Sequence, residues 1–160
     1  MVASGGRALW DAFTRAPECA AADPLDAYTR RVTEAAATAL DPHARGLFAF
    51  ERRGGSYADF VELGRLAGLG VPSRLRLLIH PIYGPWMSLR AVVLTHGEWK
   101  MSGSAPPSFD PCRDCPAPCQ VAGLDPEARR RACVIGPEHT YCDDALAHHA
   151  RHAIPRPVVS

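Results

Sequence analysis

Five of the six cysteines fall between Cys112 and Cys142, and the first three, Cys112, Cys115 and Cys119, have the spacing C-x2-C-x3-C. A loop this tight holds three thiols together at small closure entropy, and a later cysteine joins them once the chain turns back. In a reducing compartment such crowding points to a metal rather than to a disulfide framework. Four thiolates suit either an iron–sulfur cluster or tetrahedral zinc. Free thiols in a proline-rich segment are the plain alternative. The expected ligands are Cys112, Cys115, Cys119 and Cys133, because a helix opening at Asp125-Pro126 returns Cys133 to the loop after one reversal. Cys142 must first cross Gly136-Pro137 and is expected to be a bystander.

With 160 residues and 47% hydrophobic content, the chain supports one buried core. Residues 1–100 read as an α+β core, 101–111 as a Gly/Ser/Pro-rich linker and 112–160 as the cysteine-bearing segment. Asp23-Pro24 opens a helix whose inner face is expected to carry Leu25, Tyr28, Val32, Ala35, Ala36 and Ala39. Ser56 is read as the cap of a second helix, with Tyr57, Phe60, Leu63 and Leu66 inward and an end near Gly68. Strands are expected around 47–50, 75–79 and 86–95, sharing one sheet, and Asp143 or Asp144 opens a last helix.

A formal charge of +1 gives no sign of a nucleic-acid or anionic-membrane surface, and no apolar run has the length of a membrane span. The N-terminal residues MVASGGRALWDAF lack the charged start and long apolar stretch of a signal peptide, so a cytoplasmic protein is expected.

Several single residues have two readings. His80, beside Pro81, could face a cofactor or be a core histidine bonded to backbone. Tyr83 and Trp86 form either a flat ligand wall or the plug of the core. Arg90 interrupts an apolar run, so its charge must reach solvent, a carboxylate or an anionic ligand. His139, His148, His149 and His152 lie where a histidine could replace a cysteine ligand, although His148 and His152 have the spacing of an exposed helical face. Cys19 stands apart as a small structural residue.

From Ala67, AGLGVPSRLRLLIHPIYGPWMSLRAVVLT resembles the AGLG…LLIHP-x-YG-x-W segment of epoxyqueuosine reductases, and IHPIYGPWMSLRAVVL is similar to a segment of the cobalamin-processing CblC proteins. Taken with PCRDCPAPC and RRACVIGPEHTYCDDALAHH, the order of features resembles small bacterial ferredoxin-like iron–sulfur proteins of that superfamily. The resemblance implies a small nitroreductase-like sheet with packed helices and an iron–sulfur segment. It adds weight to iron–sulfur over zinc, and to a corrinoid pocket lined by His80, Tyr83, Trp86 and Arg90.

The departures restrict this. Five clustered cysteines complete only one four-thiolate site, and the later element is Cys133-Val134, where such relatives carry Cys-Pro. Gly54 stands where the reductases have an acidic proton donor, so that activity is not expected. The leading expectation is a one-electron carrier with a single 4Fe-4S cluster, serving a redox partner of unknown identity. A cobalamin-binding or processing module and a domain with structural zinc are the alternatives. A homodimer that completes the core remains open.

Overall fold

The computed structural model describes residues 1–97, 109–123 and 125–151. Most of the 101–111 linker and His152 lie outside the described residues. The fold is α+β, with small antiparallel sheets. In the main sheet the long strand β7 (Met87–Leu94) lies between β1 (Val2–Gly5) and β2 (Arg45–Phe48). Ala91, wholly buried, pairs across β7 with Phe48 on one side and Val2 on the other. A small side chain in the central strand leaves room for the Phe48 ring on the same inner face.

Helix α1 (Ala8–Phe13) follows β1, and α2 (Pro24–Leu40) packs on β2 and β7. Pro24 stands at the first turn of α2, where a missing N–H costs nothing, but the Asp23 side chain makes no capping bond. The buried stripe of α2 is Leu25, Thr29, Thr33 and Ala37, whereas Ala35, Ala36 and Ala39 are exposed. This corrects the expected face by rotating the helix. Arg30 explains the rotation in part: its guanidinium lies 4.6 Å from the centre of the Phe48 ring and bonds Glu51 at 2.6 Å, which holds that edge of α2 at the sheet margin.

The expected second helix begins later than its sequence signal. Ser56 and Tyr57 form β4, paired with β3 (Arg52–Arg53) in a hairpin, and α3 runs Phe60–Leu66. Its cap is Asp59, which accepts from the Glu62 amide at 2.9 Å, and Leu66 faces solvent.

The largest correction concerns residues 75–79. Only Leu78–Ile79 form a strand (β6), and it pairs with β5 (Val71–Pro72) in a separate ribbon, not with β7. The sheet neighbour expected from the sequence pattern is replaced by β1, which has no period-2 signal of its own in VASG. Leu78 and Ile79 are buried beneath α3, which explains their apolar run without membership of the main sheet.

Residues 80–86 are a tight turn to which the C-terminal segment docks. His80 and Gly84 bond each other reciprocally through their backbones, and the His80 Nδ1 accepts from the Ile82 and Tyr83 amides at 3.1 and 3.2 Å. Gly84 (φ 55°) and Gly136 (φ 65°) let two backbones touch: a Cβ on Gly84 would lie 1.9 Å from the Ile135 carbonyl oxygen. Trp86, with no exposed surface, packs against Tyr141 and the first turns of α6 (Asp143–Arg151). Arg130, on α5 (Pro126–Arg131), lies over Trp86 at 4.6 Å and Tyr141 at 4.9 Å and donates from Nε to the Pro85 carbonyl at 2.8 Å. Among the described residues no helix is long and apolar enough to cross a membrane.

Candidate metal centre

Cys112, Cys115, Cys119 and Cys133 line one concavity, with Ile79, Leu75, Val134 and Ile135 among its apolar walls. It encloses about 340 Å³ of space between atoms, part of it open to solvent. Three separate pieces of chain supply the thiols. Cys112 and Cys115 come from the irregular loop that starts at Pro111, Cys119 from the one-turn helix α4 (Pro118–Val121), and Cys133 from the stretch leaving α5. The capping bond from Asp125 to the Ala128 amide, 2.7 Å, starts α5 where Asp125-Pro126 predicts, and α5 carries the chain back to the loop.

The loop between the second and third cysteines is held in a conformation with a chemical consequence. Ala117 has φ 56°, a left-handed value that costs a non-glycine residue roughly 1 kcal/mol or more. In that conformation its amide points to the Cys115 sulfur at 3.4 Å, and the backbone then enters α4, which buries Cys119. Arg129 Nε bonds the Cys119 carbonyl at 3.0 Å, tying α4 to α5.

Burial raises the Cys133 thiol above its ordinary value, the Ile135 amide opposes that shift, and Cys119, Cys112 and Cys115 add to it through their charges. All three partner thiols are therefore near enough to Cys133 to be felt electrostatically. Among the described residues no group of three or more His, Cys, Asp or Glu is arranged to hold a metal ion directly. The thiols thus share a cavity wall without converging on one point. Their donor type, apolar surroundings and the N–H···S bond from Ala117 to Cys115 are compatible with a thiolate-ligated cluster.

Cys142 lies elsewhere, packed against the Trp86–Tyr141 core. The histidines named as substitute ligands are occupied differently. His148 is buried with edge contacts to Trp10 and Phe13, which corrects its placement on an exposed face. His149 stacks on Tyr141 at 5.5 Å, and His139 meets the Tyr83 ring at 4.8 Å. Cys19 is exposed, with its Sγ 3.1 Å from the Phe13 carbonyl.

The residues expected to line a corrinoid pocket separate into different roles. His80 uses Nδ1 to hold its own turn, so the ring is the tautomer protonated at Nε2 if neutral, and burial together with the His139 charge lowers its pKa. Tyr83 packs between His80 and His139. Trp86 is fully covered and offers no face to a ligand. Arg90 lines a different cavity, with Arg7, Trp10 and Tyr141. The His80–Trp86 stretch is thus the seat of the cysteine segment, which sequence reasoning missed; Gly84 and Gly136 were the available signal. The chain matches no known family, no curated protein and no solved structure.

Proposed function

We propose that the protein is an iron–sulfur protein with a single 4Fe-4S cluster and serves as a one-electron carrier. The observation that supports this most is the shared cavity of Cys112, Cys115, Cys119 and Cys133, with Cys142 outside its lining. When bound, the cluster supplies one-electron redox chemistry. Residues of this chain do the rest: four thiolates hold it, the Ala117 amide stabilises the charge on the Cys115 sulfur, and Leu75, Ile79, Val134 and Ile135 limit water. The partner that receives the electron is a protein or small molecule of unspecified identity.

The same donor set also accepts zinc, and one preparation separates the readings. Protein purified without oxygen and assayed for iron, acid-labile sulfide and zinc should be brown, with about four irons and four sulfides per chain, in keeping with thiolate ligation of a cube. A colourless, zinc-loaded protein with no sulfide overturns the proposal. Cobalamin binding remains the alternative from the resemblance, but the full burial of Trp86 removes one wall of the pocket it needs.

A further inference from the structure

We propose that the cavity between β1, α1, β7 and α6 is a binding site for one small oxyanion, a carboxylate or phosphate group, with Arg90 as its principal contact. Its lining includes Ser4, Arg7, Trp10, Arg90, Tyr141 and His149. It has no lining residue in common with the cysteine cavity and does not depend on what that cavity holds.

Arg90 stands on the central strand between Leu89 and the fully buried Ala91. Its Nε is buried and has no hydrogen-bond partner. Burial lowers the pKa of the guanidinium; Tyr141 and Asp26 oppose that shift through charge, and Arg130 adds to it. A withdrawn cation with an unused donor is costly unless an acceptor reaches it. The cavity wall includes two guanidiniums and an imidazole but no Asp or Glu. Asp26, which acts on Arg90, is not among the lining residues.

Arg7 reinforces this. Its Nε is spent on the Thr140 carbonyl at 3.3 Å, which fixes the side chain at the mouth. The planar fork of a guanidinium matches the paired oxygens of a carboxylate or phosphate. The enclosed space is small, about 10 Å³, so the site takes at most the end of an oxyanion group at its opening and no larger ligand enters.

Trp10 in the wall provides the readout. The full chain is titrated with inorganic phosphate and, separately, with acetate, each against chloride at equal ionic strength, and followed by tryptophan fluorescence and thermal midpoint. Saturable changes are expected with at least one of them. Phosphate alone assigns a phosphoryl ligand, acetate alone a carboxylate, and both assign the shared oxyanion chemistry. Arg90→Gln should abolish the response while circular dichroism stays native. Arg7→Gln, at the exposed rim, should weaken binding about tenfold, the loss of one charge-assisted hydrogen bond. No saturable response beyond chloride, or unchanged affinity in Arg7→Gln, overturns the proposal even if Arg90→Gln fails to fold.

Discussion

The sheet region and the cysteine segment are built on different principles. Residues 2–97 include a 17-residue helix and an eight-residue strand that bury Leu25, Phe48, Ala91 and Trp86. In residues 109–142 the helices are four and six residues long, and only Cys119 among their side chains is buried. Helices this short are not stable alone, so the segment is held by what it touches. The attachments include the Gly84–Gly136 contact, the packing of Trp86, Tyr141 and Arg130, and the bonds of Arg7 to Thr140 and Ser88 to Tyr141. The proposed cluster would be a further one. The contrast teaches that HPIYGPW, for which a ligand wall and a core plug were both open readings, works as a docking surface for the cysteine segment.

The sharpest way to break this contrast is to strip the metal. Acid or chelator treatment should raise amide exchange across residues 109–135 by orders of magnitude, because local opening there then meets little resistance, while β7 stays protected. Equal loss of protection in both regions would mean that the segment is part of one cooperative core. Next in size is Trp86→Ala, which removes a fully buried ring and is expected to cost about 3–5 kcal/mol in chemical unfolding. A loss below about 1 kcal/mol would show the contact with Tyr141 to be incidental.

Gly84→Ala tests the docking contact itself. A Cβ 1.9 Å from the Ile135 oxygen, on a residue at φ 55°, should destabilise by more than about 1 kcal/mol and weaken cluster retention, since Ile135 lies two residues after Cys133. Wild-type iron retention would separate docking from metal binding.

The smallest expected effect belongs to the sheet side alone. Arg30 holds the Glu51 carboxyl below its ordinary pKa, so its contribution is present above the normal glutamate value and is lost as pH falls through the lowered one. Both groups are solvent-accessible, which limits the pair to about 0.5 kcal/mol. Glu51→Gln should therefore lower the thermal midpoint slightly at neutral pH, and the difference should shrink once the pH falls below the ordinary glutamate range and vanish only below the lowered value. A gap that widens in acid would reverse the sign.

What was legible in the sequence is whatever depends on neighbours in the chain. Asp125-Pro126 opens α5, because capping is a local hydrogen-bond demand, and α6 begins at Asp143 as its acidic pair suggests. The burial of Trp86 and the extent of β7 follow from apolar content. Pairing was not legible. Leu77-Leu78-Ile79 has the apolar character of a sheet member whether it joins β7 or β5, and VASG shows no pattern that marks it as an edge strand. The α2 stripe was misread because Thr29 and Thr33 turn inward where alanines were expected, a choice made by what packs against them. For the site, spacing grouped Cys112, Cys115 and Cys119. That Cys133 lines the same cavity depends on the αL turn at Ala117 and the return through α5, and the cavity for Arg90 depends wholly on tertiary packing.

The most direct measurement is iron and sulfide per chain in five single serine variants prepared without oxygen. Cys112→Ser, Cys115→Ser, Cys119→Ser and Cys133→Ser should each lose most of the cluster, while Cys142→Ser, outside that cavity lining, should retain it. Full occupancy in Cys133→Ser with loss in Cys142→Ser would contradict the assignment, and full occupancy in all five would remove the cluster altogether.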